Sequence, residues 1–219
     1  MADNKAAKSR KSAKSGRPIS ERVAEAALAI ASEKGWRAVS PQTIANKISE
    51  PLGTILQAYP NQGRIAAAIF KQVDAHILAQ VKSVDADESP RDRLFEVMMM
   101  RFDALQAHRS GYDAILRSYR RDPLSAVCRV PGLLRSMMLM LGAAGIASDG
   151  PLGVARAHAL AAAYVAVLRT WMKDNSADMA PTMSALDKAL SRLESLQSAV
   201  DARYRRRRQR KGDQVAPKT

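Results

Sequence analysis

The sequence predicts an all-α protein with an N-terminal three-helix unit and a larger C-terminal helical bundle. Of its 219 residues 47% are apolar but only 5% are aromatic. Ala, Leu and Met supply most of the apolar share, and these residues favour helices over strands. Apolar positions recur at three- and four-residue spacing, and almost nowhere do they alternate as in a half-buried strand. Together these observations indicate helices throughout.

The N-terminal unit, residues 18–64, contains three short predicted helices. Ser20 caps the first, and Gly35 supplies its left-handed stop. Ser40-Pro41 gives a second start signal, a capping hydroxyl followed by a proline where no N–H is needed. That helix runs to about Ile48, and Pro51 opens a third that ends near Ala58. Two short helices joined by so tight a turn form a helix-turn-helix, whose second helix can enter a major groove.

Several short segments here carry a family resemblance. The N-terminal domain of the TetR family of bacterial repressors is similar to this unit at three segments: Ile44-Ala45, Gly53-Thr54-Ile55-Leu56 and Tyr59-Pro60-Asn61. The resemblance implies a ligand-responsive, non-enzymatic regulator that binds double-stranded DNA. Short polar side chains on or beside the recognition helix suit base or phosphate contacts. The candidate DNA-binding residues are Thr43, Thr54, Gln57, Tyr59 and Arg17.

The segment departs from the TetR pattern at three positions. Ser49 stands where the family has a glycine in the turn, and Leu56 replaces a tyrosine of the recognition helix. Gln62 replaces the lysine that binds phosphate after that helix. In addition, residues 51–59 carry no charge. The resemblance therefore supports the fold more strongly than it supports DNA binding.

The net charge of +14 is concentrated at the chain ends, because residues 1–17 and 203–219 together carry +12 of it. Both segments are polar, and we expect a disordered basic arm and a disordered basic tail. The arm either follows the DNA backbone or a minor groove, or acts as a solubilising tail. The run Arg205–Lys211 suits DNA phosphate or peripheral contact with an anionic membrane, but such runs are most often solvated tails.

The C-terminal bundle, residues 65–202, contains six predicted helices, counting the one that begins at about residue 61 and links it to the N-terminal unit. The others begin at Ser89-Pro90, near Ser110, at Pro123, at Pro151 and near Ala180-Pro181. The helix from Pro123 is expected to be interrupted or kinked at Pro131-Gly132. The last two helices are expected to pair with their copies in a four-helix interface, giving a homodimer.

Ten methionines suggest a binding cavity for a hydrophobic small molecule or lipid within the bundle. Flexible thioethers adapt to irregular apolar ligands, although ordinary core filling explains any single one equally well. The candidate ligand-binding residues are Met98, Phe102, Met137, Tyr164, Leu168 and Trp171.

A second resemblance concerns the C-terminal region. It resembles the lipid-binding accessory proteins of ubiquinone biosynthesis at residues 93–96, at residues 101–105, and at Trp171 followed by Asp174, Ser176, Asp178, Thr182 and Leu186-Asp187. That family is similar in fold to TetR proteins and is not thought to repress transcription. The alternative function is therefore a lipid- or isoprenoid-binding accessory protein with a vestigial helix-turn-helix.

The sequence offers no catalytic or metal site, and we expect neither enzymatic activity nor a cofactor. His76, His108 and His158 lie on three different predicted helices without metal-ligand spacing. Asp174 and Asp178 suit capping of the last interhelical turn better than paired acid–base work. Cys128 is the only cysteine, and no run reaches the roughly 18 apolar residues of a membrane span, so a cytoplasmic location is expected.

Overall fold

A computed structural model describes residues 17–81 and 87–213, with side chains described as far as residue 196. The described chain is all-α, as predicted, and contains no strand. A single 3-10 turn, Trp36–Ala38, follows the first helix. The described residues form ten α-helices, which are α1 Ile19–Lys34, α2 Pro41–Ile48, α3 Leu52–Ala58, α4 Gln62–Gln80, α5 Pro90–Gln106, α6 Arg109–Arg121, α7 Pro123–Val127, α8 Val130–Ala143, α9 Gly150–Trp171 and α10 Ala180–Asp213.

The chain divides into two compact units. Of the described residues, 17–81 and 100–136 form the first unit, and 87–99 and 137–213 form the second. The first unit therefore contains α1–α4 with α6 and α7, which is more than the predicted segment 18–64. The predicted boundary between residues 64 and 65 falls within α4, a continuous helix whose apolar side chains Ile65, Ile69 and Ile77 are all buried.

The core of the first unit forms where α6 packs on α1. Gly111 makes the close approach possible, because a Cβ atom there would lie 2.7 Å from the Leu28 carbonyl oxygen. Val23, Ala27 and Ile115 are each fully buried. This packing holds the helix that precedes the helix-turn-helix against the rest of the unit.

The second unit has its core between α9 and α10. Leu160, Tyr164 and Trp171 of α9 are buried, as are Leu186 and Leu190 of α10. The residues of each set are four or seven positions apart, so each helix turns one stripe inward.

Two helix starts differ from the sequence-based expectation. The first helix begins at Ile19, with Pro18 rather than Ser20 at the cap, because the Pro18 carbonyl accepts the N–H groups of Glu21 and Arg22. The predicted interruption at Pro131-Gly132 is displaced to the turn at Cys128 and Arg129. Pro131 instead lies in the first turn of α8, where its missing N–H leaves no helical hydrogen bond unmade.

The C-terminal boundary also differs. Helix α10 continues to Asp213, so residues 203–213 are helical where a disordered tail was predicted. Arg, Gln and Lys have good helix propensity, and extension of an existing helix avoids the cost of nucleation. Residues 1–16 and 214–219 lie outside the described residues.

Two stretches of the described chain are long and apolar enough to cross a membrane, contrary to the expectation that none would be. They are Pro123–Ala143 and Gly150–Trp171, each with a mean hydropathy of 1.4. The criterion uses length and composition alone, and the core helix of a soluble protein also meets it. Helix α9 buries one stripe of side chains in the core of the second unit, and the other stretch contains the turn at Cys128 and Arg129.

Candidate nucleic-acid interface

The helix-turn-helix begins with a capping box at the start of α2. The Thr43 N–H donates to Ser40 Oγ at 3.1 Å, and the Ser40 N–H donates to Thr43 Oγ1 at 2.9 Å. Pro41 occupies the first helical position. Two otherwise unpaired N–H groups are thus satisfied at one helix end, which fixes where α2 begins.

The turn between α2 and α3 passes through a left-handed residue. Ser49 has φ 57° and ψ 45°, the conformation for which the TetR pattern uses glycine. Serine adopts it at a modest steric cost. The Glu50 N–H donates to the Ala45 carbonyl at 3.1 Å, which closes the end of α2.

Helix α1 holds this turn in place through Arg22. Its Nη1 donates to Glu50 Oε1 at 2.6 Å, and its Nη2 donates to the Ile48 carbonyl at 2.8 Å. Both charged side chains are partly buried, with 18% and 26% of their surface exposed. One guanidinium therefore connects the preceding helix to both the end of α2 and the turn.

Helix α3 has one buried anchor and a polar outer face. Ile55 is fully buried, whereas Gly53, Thr54 and Gln57 are exposed. With about 100° of rotation per residue, Gly53 and Gln57 lie opposite Ile55, and Thr54 lies next to Gln57 on one flank. Leu56 is 41% exposed and lies on the other flank.

The position of the family's phosphate-binding lysine has a structural role here. Gln62 Nε2 donates to the Trp36 carbonyl at 2.6 Å and to the Val39 carbonyl at 3.0 Å. The start of α4 is thereby fixed to the 3-10 turn that precedes α2. A glutamine amide does this without charge, so Gln62 contributes no cation to the surface.

The sequence analysis did not single out two exposed arginines that lie, in the chain, close to the contact between Gln62 and the 3-10 turn. Arg37 belongs to the 3-10 turn, and Arg64 lies in the first turn of α4, whose N-cap is Asn61. Neither forms an ion pair with the described residues, unlike Lys47, which pairs with Glu33 at 3.1 Å. A basic residue three positions from a helix cap is the sequence signal that could have identified both.

No protein-family model and no curated protein matches the chain, but solved structures do. A TetR transcriptional regulator from Nitrosomonas europaea superposes with a TM-score of 0.65 at 20% identity, covering 80% of this chain and 97% of that one. A TetR regulator from Rhodococcus sp. RHA1 gives 0.61 at 22% identity, covering 78% and 93%. The fold is that of the TetR regulators. At 20–22% identity this likeness establishes the fold.

The TetR-like fold brings only some of the predicted DNA-binding residues together. Thr54 and Gln57 share the exposed face of α3. The Thr43 hydroxyl is engaged in the capping box and with the Ala38 carbonyl at 3.0 Å. Tyr59 is half-buried at the end of α3, and burial raises the pKa of its hydroxyl. Arg17 pairs with carboxylates of α1, Glu21 at 3.2 Å and Glu25 at 3.0 Å.

The six predicted ligand-binding residues are all buried. An exposed surface of 8% or less is found for each of them: Met98, Phe102, Met137, Tyr164, Leu168 and Trp171. Phe102 belongs to the first unit and the other five belong to the second. Two clefts of about 570 and 470 Å³ in the described chain are lined by none of the six. Their role in ligand binding stays a prediction.

The resemblance to ubiquinone accessory proteins is not supported by the structural neighbours, which are TetR regulators. Its most specific segment has a structural explanation in the TetR-like fold. Asp174 accepts from the hydroxyls of Ser176 at 2.5 Å and Thr182 at 2.6 Å, and from both of their N–H groups. Asp178 accepts from the Ala180 N–H at 3.2 Å. These aspartates cap the turn before α10, as the sequence predicted.

Proposed function

We propose that the protein is a non-enzymatic TetR-like transcriptional regulator that binds double-stranded DNA through α2 and α3. The single observation that carries this proposal is that α3 is anchored on one side and presents an exposed polar face on the other. Arg22 fixes the preceding turn, Ile55 anchors the helix, and Thr54 and Gln57 remain exposed. A helix presented in this way fits the major groove, with its outer side chains at the base edges. Selection from genomic DNA at physiological salt tests the proposal, which requires enrichment of a defined sequence.

Phosphate contacts are assigned to Arg37 and Arg64. Both are exposed, lie beside the helix-turn-helix in sequence and have no ion-pair partner among the described residues. Gln62 cannot supply the charge of the family's lysine, so these arginines replace it. Thr43 then acts chiefly as the cap that positions α2, and Arg17 reaches DNA only by exchanging its two carboxylate partners for phosphate.

Replacement of both arginines, Arg37→Ala with Arg64→Ala, should weaken binding to all sequences alike and flatten its salt dependence. Each lost phosphate contact lowers the slope of log affinity against log salt by about 0.9, so the pair should lower it by about 2. Fluorescence anisotropy between 50 and 200 mM salt measures the slope. Arg135→Ala, an exposed arginine of α8, is the matched control. An unchanged slope in the double variant would remove both residues from the interface.

We propose a homodimer formed through α9 and α10. Both helices expose large apolar side chains, which a second copy would cover: Leu152, Val154, Val165, Met183 and Leu196. Light scattering should give twice the 23.8 kDa chain mass. Val165→Glu should shift the particle toward the mass of one chain, because a carboxylate would be buried without a partner. Leu139→Glu, on α8, is the control, and equal behaviour of the two variants would argue against this interface.

A hydrophobic effector is proposed for the five predicted ligand-binding residues of the second unit, which are Met98, Met137, Tyr164, Leu168 and Trp171. Native mass spectrometry of the purified protein tests for a retained ligand. If such a ligand changes DNA affinity by some factor, DNA must change ligand affinity by the same factor.

We propose a cytoplasmic location, as expected for a DNA-binding regulator. The membrane contact expected for Arg205–Lys211 involves side chains that lie outside the described residues.

A further inference from the structure

The outer face of α3 contains no cation, which restricts the bases that it can recognise. Arginine and lysine are the side chains that most often read guanine, through bidentate bonds to O6 and N7. No charged residue occurs from Pro51 to Tyr59. A helix of this composition in a major groove lacks the usual means of selecting G·C pairs.

Gln57 offers the complementary chemistry for adenine. Its amide carries both a donor and an acceptor, the pair of groups that matches adenine N6 and N7. The side chain is exposed and makes no hydrogen bond with the described residues. It also lies at the centre of the face opposite the buried Ile55. The amide is therefore available to a base edge without breaking a contact within the protein.

Apolar atoms beside Gln57 suit the methyl group of thymine. Thr54 and Ala58 are exposed, and Leu56 is 41% exposed at the opposite flank. Threonine methyl and alanine side chains are known partners of the thymine 5-methyl group in major grooves. Gly53 completes the face, and a Cβ atom there would meet nothing within 4 Å. Since packing does not demand this glycine, its effect is to let the helix backbone come close to the bases.

We infer that α3 reads A·T base pairs, with Gln57 bound to adenine and the Thr54 methyl group against a neighbouring thymine. The inference rests on the proposed DNA-binding function and names the class of sequence that this function selects. It makes Gln57 and Thr54 the specificity-determining residues of the site. The operator positions beneath α3 are then rich in A·T pairs.

Selection from a random duplex library with wild type, Gln57→Ala and Gln57→Arg locates the base read by Gln57. We expect the wild type to prefer adenine there, the alanine variant to lose about 5- to 100-fold of that preference, and the arginine variant to prefer guanine. Gln80→Ala, at an exposed position of α4, is the matched control and should leave the selected sequence unchanged. A guanine or cytosine preference of the wild type at this position would overturn the inference while leaving the proposed function intact.

Replacement of each operator thymine by uracil tests the methyl contact, because uracil differs only by the missing methyl group. Among the thymines of each half-site, we expect a single one to matter. Its replacement in one half-site should weaken wild-type binding about fourfold. The same substitution should have little effect on Thr54→Ser, which keeps the hydroxyl but lacks the methyl group. Equal losses in both proteins, or no loss in wild type, would overturn the methyl contact. If no sequence is enriched at all, the proposed function fails and the inference fails with it.

Discussion

Asp74→Ala should lower the free energy of unfolding by about 3–5 kcal/mol, because it leaves a buried guanidinium without its counter-charge. Asp74 on α4 accepts hydrogen bonds from Arg101 Nη1 on α5 and from Ser136 Oγ on α8, the latter at 2.6 Å. Arg101 is 1% exposed, Asp74 8% and Ser136 3%. All three belong to the first unit, so the cluster joins α4, which follows the helix-turn-helix, to two other helices.

Urea unfolding followed by circular dichroism measures this effect. Asp103→Ala is the control, since Asp103 is an exposed aspartate on α5, two residues from Arg101. Ser136→Ala should cost only about 1 kcal/mol, as expected for loss of one hydrogen-bond donor. If Asp74→Ala costs no more than Asp103→Ala, the buried pair does not stabilise the fold as described.

The apolar double replacement Asp74→Leu with Arg101→Met separates the cost of the unpaired charge from the value of the pair. Buried ion pairs are often replaceable by apolar side chains of similar volume at little cost, so this variant should be close to wild type in stability. Reduced DNA affinity in a stable double variant would then show that the pair positions α4 for binding. Unchanged affinity would assign it to stability alone.

The helix-turn-helix was predictable in detail because its signals are local. Ser40 with Pro41 marks the start of α2, and Gly35 ends α1 with φ 81°. Each of these residues acts on backbone groups within four positions of itself, so the sequence alone carries the information. The candidate base-reading residues follow from the same reasoning, since the position of Ile55 determines which side chains of α3 face outward.

Contacts between residues distant in sequence were not predictable. The sequence analysis did not single out Arg22 or Asp74, and Arg101 entered it only as part of a family resemblance. Arg22 contacts Ile48 and Glu50, and Asp74 contacts Arg101. In each case the two partners are 26–28 residues apart in the chain. Which cation becomes buried depends on how helices pack, and helical periodicity carries no such information. Gln62 is a similar case, because its acceptors belong to a turn more than twenty residues earlier.

Asp174→Ala should lower the free energy of unfolding of the second unit by about 2–4 kcal/mol, because it leaves several donors without an acceptor. Thr182, which directs both its N–H and its hydroxyl at this carboxylate, is fully buried, so water cannot replace the lost bonds. Asp178→Ala is the matched control. It removes one hydrogen bond, to the Ala180 N–H at 3.2 Å, from an exposed cap, and should cost about 1 kcal/mol or less.

The stabilisation by Asp174 should disappear in acid. Burial of the carboxyl acts to raise its pKa, but the hydrogen bonds from Ser176 and Thr182 outweigh burial and lower the pKa to about 2 from 3.8. A lowered folded-state pKa means that the contribution is complete above about pH 4 and is lost as the pH falls toward 2. The stability difference between wild type and Asp174→Ala, measured by urea unfolding from pH 6 to pH 2, should therefore narrow in this range. A difference that stays constant to pH 2 would show that the ionised carboxylate is not what holds the turn.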